Sequence, residues 1–213
     1  MNIGILGSGD VGRALGKGFL KYGHAVKIGS RDPKSDKLKE WLAKNPKGTS
    51  GTFTETAAFG ELLVLATKWS GTEEALMLSD LRNFAGKTVI DCTNPLIVTP
   101  GQPPSLALGH TDSGGEQVQR WLPNSNVVKA FNIVGSAHMV NPDFPGGPPD
   151  MFICGNDATA KSKVTEILTA FGWNTTDLGG IEGARLLEPM CILWVLYGMK
   201  HQSWNHAFKM LKK

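Results

Sequence analysis

Three glycines near the N-terminus stand in the spacing G-x-G-x-x-G, within Gly7-Ser8-Gly9-Asp10-Val11-Gly12. Glycines so spaced serve phosphate chemistry by leaving backbone bare. Gly7 permits a tight turn, Gly9 lets the backbone approach a pyrophosphate, and Gly12 lets the next helix pack closely. The motif alone is common; its flanks make it informative. An apolar run, Ile3–Leu6, precedes it, and an amphipathic pattern from Val11 to Tyr22 follows. A helix opening there turns free N–H groups and a partial positive charge toward the phosphates. Asp10 has the wrong charge for that loop and is read as the cap of the helix, not as a catalytic acid.

The second informative position is the end of the next strand, Ala25–Ile28, which reads Gly29-Ser30-Arg31. NAD-binding folds place Asp or Glu there to accept hydrogen bonds from the ribose 2′-OH. Here Asp32 comes one residue later, and Arg31 offers a planar, permanently charged fork to a 2′-phosphate, with the Ser30 hydroxyl beside it. This substitution selects NADP(H) over NAD(H); the alternative is a solvated surface arginine. The ends of later strands supply Ala66-Thr67-Lys68-Trp69, Thr93-Asn94-Pro95-Leu96, Phe131-Asn132 and Ser136-Ala137. Ligands lie at such ends, so Thr67, Asn94 and Ala137 are candidates for the nicotinamide half, although an Asn-Pro pair is also a plain turn signal.

No Tyr-x-x-x-Lys pair, nucleophile arrangement or metal-ligand spacing is found, and the five histidines are scattered. His138 lies nearest the nicotinamide side, yet a lone histidine is more often structural. No catalytic side chain and no metal ligand is therefore assigned. A site without a proton donor suits hydride transfer in which positioning supplies the catalysis.

The elements that must hold these residues alternate. Short β-branched runs and helical patterns succeed one another through Thr88–Asp91 and Val127–Ala130, which predicts an α/β fold of Rossmann type. Its sheet is doubly wound and mostly parallel. The stretch 141–149, rich in Pro and Gly, cannot be regular structure. It divides a dinucleotide-binding lobe, 1–141, from a small C-terminal α/β lobe, 150–213, ending in helices. There Met151–Cys154 and Trp173–Asp177 read as strands, Ala158–Phe171 as a helix, and Ile181–Lys213 as mostly helical, started or broken near Pro189. That last helix carries Leu193, Trp194, Leu196, Trp204 and Phe208, more apolar surface than a small lobe needs. Part of it is expected to close the acceptor pocket or to bury against a second copy of the chain.

Bulk properties agree. A net charge of +3 without a dense basic run argues against nucleic acid. Three dispersed cysteines fit a reducing compartment and supply no disulfide framework. The N-terminal apolar run is too short for a secretion signal, and Met190–Met199 is about half the ~20 residues a membrane helix needs, so a cytoplasmic location without membrane contact is expected.

Taken together, these segments make the chain resemble the NADPH-dependent coenzyme F420 reductases (F420H2:NADP oxidoreductases), and it is also similar to the cytosolic reductase domain of the six-transmembrane metalloreductases. The resemblance spans nearly the whole chain. It rests on Gly4–Gly12, Gly29-Ser30-Arg31, Val128-Lys129-Ala130-Phe131-Asn132, Ile153-Cys154-Gly155 and Arg185-Leu186-Leu187-Glu188-Pro189. It implies that Ser8, Gly9, Asp10 and Val11 hold the pyrophosphate, that Ser30, Arg31 and Lys34 hold the 2′-phosphate, and that Ala137 approaches the carboxamide. It implies NADP as cofactor and a small-molecule hydride acceptor, a deazaflavin (coenzyme F420) or a flavin. Residues 103–112 do not follow the family pattern. Two other readings use the same motif: an imine or keto-acid reductase similar to the pyrroline-carboxylate reductases, and a non-catalytic NADP(H)-binding module.

Overall fold

The computed structural model describes residues 1–211 and 213. The first half runs β1 (Asn2–Leu6), α1 (Asp10–Lys21), β2 (Ala25–Gly29), α2 (Asp36–Lys44), β3 (Gly48–Gly51), α3 (Phe53–Phe59), β4 (Leu62–Leu65), α4 (Thr72–Met77) and β5 (Thr88–Asp91). A short hairpin, β6 (Leu96–Ile97) and β7 (Ser105–Leu106), leads to α5 (Gly114–Trp121) and β8 (Asn126–Lys129). Then come β9 (Asp150–Gly155), α6 (Ala158–Ala170), β10 (Asn174–Asp177) and α7 (Ala184–His201). Strands β4 and β5 are buried at every residue, as strands covered on both faces should be.

Eight strands form one sheet in the order β10-β9-β8-β5-β4-β1-β2-β3. All neighbours are parallel except β8 and β9. The portion β3-β2-β1-β4-β5-β8 is the doubly wound dinucleotide order, and its direction of winding reverses between β1 and β4. Residues 150–213 add β9 and β10 to the far edge of that same sheet and close with α7.

The register sets up the site. Gly29, Leu6, Leu65, Asp91 and Lys129 stand side by side in one row at the C-terminal edge of β2, β1, β4, β5 and β8. Pairing continues one residue past the row. Gly7 N–H donates to Gly29 O (3.0 Å), Ala66 N–H to Leu6 O (2.8 Å), Cys92 N–H to Leu65 O (3.0 Å) and Ala130 N–H to Asp91 O (3.1 Å). Each chemistry-bearing loop therefore leaves the sheet from a pinned position.

Two segments depart from the sequence expectation. No helix was expected between Phe53 and Leu62, yet α3 forms there behind a capping box: Thr52 accepts from the Glu55 N–H while Glu55 accepts from the Thr52 N–H. The Thr-x-x-Glu signal was present in the sequence. The expected helix from Pro189 to Lys213, of which Lys212 lies outside the described residues, is the second. Pro189 lies inside α7 and does not start it, and the helix stops at His201, where Gln202 takes a left-handed φ of 50°. The chain then folds back, stacking Trp204 and His206 on Trp194 with ring centroids 5.3 and 4.7 Å away. Trp194 Nε1 donates to His206 O at 2.9 Å. Burying these rings together outweighs continuing the helix into solvent.

Candidate functional site

A cleft of about 700 Å³ opens above the C-terminal ends of β1, β2 and β4, where the winding reverses. Its floor is the turn from β1 into α1. Gly7 takes a φ of +123°, and a Cβ there would stand 2.4 Å from the Ala66 carbonyl oxygen. A Cβ on Gly12 would stand 2.0 Å from the Gly7 oxygen. Both positions require glycine for the protein's own packing. Gly9 differs: a Cβ built there meets nothing within 4 Å. Its bareness serves the open cleft, as expected of a cradle for a phosphate. Gly9 is also the N-cap of α1 and supplies no side-chain cap. The first N–H groups of this twelve-residue helix thus face the cleft without a side-chain partner.

Asp10 is not the cap expected from the sequence. It is the first helical residue, solvent-exposed, and pairs at 2.5 Å with Arg13, whose other arm donates to Ser8 O at 2.8 Å. The pair braces the glycine loop and cancels the carboxylate's charge beside it. The Ser8 hydroxyl lies 3.3 Å from that of Ser30 and ties the loop to the end of β2.

The cleft brings together Gly7, Ser8, Gly9, Asp10, Val11, Ser30, Arg31 and Thr67, with Gly12 buried beneath. Lys34, Asn94 and Ala137 do not line it. Lys34 precedes α2, with its N–H held by Asp32 Oδ1 (3.0 Å), and Lys37, in the first turn of α2, takes the place at the wall. Sequence reasoning missed Arg13, Lys37 and Glu74, because which residues of a helix face a cleft depends on how the helix docks. Thr67 shares a 2.9 Å hydrogen bond with Thr72, whose hydroxyl donates to Lys68 O (3.1 Å). Thr72's proton is thereby used, so Thr67 donates to it and turns only lone pairs toward the cleft.

A second centre lies at the ends of β5 and β8. Lys129 is fully buried, with its Nζ 2.8 Å from Asp91 Oδ2, 2.8 Å from Glu188 Oε1 and donating to Thr93 O at 2.8 Å. Burial alone would push its ammonium down; the two carboxylates, Asp91 ahead of Glu188, outweigh that and hold it above its ordinary value. Asp91 also accepts from the N–H and hydroxyl of Thr93 (2.9 and 2.7 Å). Glu188 accepts from the N–H groups of Gly114 and Gly115, both at 2.9 Å, at the start of α5. One turn earlier on α7, Arg185 grips Glu116 of α5 through two bonds (2.9 and 2.5 Å) and holds that carboxyl below its usual range. The sequence block Arg185–Pro189 is therefore a clamp on α5.

Next to this centre, Asn94 and Asn132 bond each other reciprocally: Asn94 donates to Asn132 O (2.8 Å) and Asn132 donates to Asn94 Oδ1 (3.0 Å). Asn132 also donates to Leu187 O at 3.0 Å. Phe131, buried between them and β8, holds a φ of +63°, strain that persists only where the surroundings dictate it. Ala137 is exposed in the turn Ser136–His138, and His138 pairs with Asn205 (3.0 Å) while packing on Phe144. Among the described residues no group of His, Cys, Asp and Glu is arranged to hold a metal, and no helix is long and apolar enough to cross a membrane.

A parallel sheet that reverses its winding above a bare glycine loop, with a basic group at the end of β2, defines a dinucleotide-dependent oxidoreductase fold. Comparison with known proteins agrees. The family model described as NADP oxidoreductase, coenzyme F420-dependent, matches residues 2–95. A solved structure from Arthrobacter sp. FB24, provisionally described as an F420-dependent NADP reductase, is 37% identical, covers 100% of both chains and superposes with a TM-score of 0.95. The F420-dependent NADP reductase of Methanocaldococcus jannaschii is 29% identical over 95% of each chain. The metalloreductase STEAP3 of Rattus norvegicus is 32% identical over 88% of this chain, which spans only 36% of that protein's length. The chain belongs to the F420-dependent NADP reductase family, a family of NADP-dependent oxidoreductases.

Proposed function

We propose that this protein moves a hydride between NADP(H) and a deazaflavin of the coenzyme F420 type, with flavins as weaker acceptors. The observation that carries the reading is the cleft itself. It joins a phosphate-ready turn at Gly7–Gly12 to a ribose end bearing Ser30, Arg31 and Lys37 in place of the acid an NAD enzyme carries. The choice of acceptor follows the Methanocaldococcus reductase, matched over nearly its full length. Bound nicotinamide supplies the hydride. The protein's residues bind and orient: the start of α1 takes the pyrophosphate, Arg31 and Ser30 take the 2′-phosphate, and Thr67 borders the nicotinamide side, while Asn94, taken up by Asn132, and Ala137 stand outside the cleft. In this reading residues 1–141 carry the dinucleotide and 150–213 complete the acceptor side. The exposed apolar residues of α7, Leu186 and Leu193 among them, meet the acceptor or a second copy.

The test is a screen of acceptors (deazaflavin, FMN, FAD, ferric chelate) with NADPH and with NADH as donor. Deazaflavin reduction by NADPH should be fastest. Absence of turnover with every acceptor, or equal rates with the two donors, refutes the reading.

A further inference from the structure

Among the described residues, two carboxylates and four cations line the cofactor cleft: Asp10 and Glu74 against Arg13, Arg31, Lys37 and Lys68. Asp10 is taken up by Arg13 at 2.5 Å. Among the described residues, Lys37 and Lys68 pair with no carboxylate. Glu74 is thus the one acid in the cleft left to face a binding cation, and it faces Arg31. From the first turn of α4 its Oε2 reaches across to Arg31 Nη1, 3.5 Å away. The two side chains come from opposite walls, the end of β2 and the helix after β4, and no local sequence relation brings them together.

We propose that Glu74 is a specificity-determining residue, a stand-in for the 2′-phosphate that holds the Arg31 fork across the cleft and is exchanged for the phosphate when NADP(H) binds. The proposal rests on the reading of Arg31 as the 2′-phosphate ligand. A phosphate carries more charge than a carboxylate and offers three acceptor oxygens, so it takes the guanidinium in competition. Glu74 opposes that exchange twice: its attraction to Arg31 must be given up, and its charge stays near the incoming anion. A ligand without the 2′-phosphate disturbs neither. Glu74 therefore lowers discrimination between NADP(H) and NAD(H), and its removal raises it.

Adenosine 2′,5′-bisphosphate and 5′-AMP differ by the 2′-phosphate alone, and both leave the nicotinamide side untouched. Their dissociation constants would be measured by calorimetry for wild type, Glu74→Gln, Arg31→Ala and the double variant. Both side chains are largely exposed, so the gain is modest: Glu74→Gln should tighten the bisphosphate about two- to fivefold and leave 5′-AMP within about twofold. In the Arg31→Ala background the gain should fall below about twofold, and 0.5 M salt should shrink it in the wild-type background. A wild type that does not distinguish the two ligands defeats the NADP reading itself. A wild type that distinguishes them, with Glu74→Gln unchanged, weakened, or altered equally for both ligands, overturns the role of Glu74 alone. A gain that persists undiminished without Arg31 also overturns the exchange.

Discussion

Lys129→Met is the substitution whose consequence follows most directly from the structure. Methionine keeps the length of the stem and removes only the ammonium, which meets Asp91, Glu188 and the Thr93 carbonyl at 2.8 Å each. Asp91 and Glu188 are at most 1% exposed, so the variant retains two buried carboxylates with no counter-ion. Removing one partner of a buried ion pair costs about 3–5 kcal/mol. For a chain of this size each kcal/mol lowers Tm by roughly 2–4 °C, which gives a fall of about 6–20 °C. The sign of the pH dependence provides a sharper check. In the folded variant the carboxylate pair takes up a proton that the unfolded chain does not bind above about pH 5, so the folded state binds more protons and stability rises as pH falls, by up to ~1.4 kcal/mol per pH unit. In the wild type the raised lysine keeps its contribution at all pH values below its unfolded value near 10.4. Urea unfolding followed by tryptophan fluorescence at pH 7.5 and 5.5 measures both. A loss under about 1 kcal/mol, or a loss that does not shrink at pH 5.5 relative to wild type, would refute the reasoning.

Gly9→Val should leave a folded protein with wild-type Tm within a few degrees, since a Cβ there meets no atom within 4 Å, while abolishing NADPH binding in a fluorescence titration. Gly12→Ala, whose Cβ would meet the Gly7 carbonyl at 2.0 Å, should instead lower stability by several kcal/mol in denaturant melts. Burial pushes the thiols of Cys154 and Cys191 up to about 12 and about 11, and that of Cys92 upward as well. All three should resist iodoacetamide at pH 8 in the native protein and react together once it is unfolded, as mass spectrometry would show. His138→Ala should reduce turnover less than about tenfold, because this histidine is occupied with Asn205 and Phe144; a general acid would be worth roughly 10²–10⁴, so steady-state kinetics with NADPH binding intact separates the two.

What the sequence determined by itself is the part whose physics is local. A strand, a glycine turn and a helix lie within the first 21 residues, so the spacing of Gly7, Gly9 and Gly12 announces the turn and its bare backbone. Arg31 reaches the cleft because the residues after the second strand leave the sheet at its C-terminal edge in this topology. The loop at 141–149 and most strands are equally local, being set by proline and by short β-branched runs. Helix α3 is announced only by its capping box, Thr52 and Glu55, because its apolar pattern is too short to show a helical period.

Tertiary structure decided what depends on segments distant in the chain. In the sequence Lys129 is only one residue of the block Val128–Asn132. Only the register that sets it beside Asp91, and the docking of α7 that delivers Glu188, make it the buried centre of the molecule. The same docking holds α7 through Pro189: Arg185, whose carbonyl loses its hydrogen bond to the proline, and Glu188 are both anchored to α5, against the roughly 3 kcal/mol a proline costs within a helix. Lys37 for Lys34, and Glu74 opposite Arg31, follow from how α2 and α4 lie along the cleft. A helix's periodicity tells which residues share a face, but only packing tells where that face points.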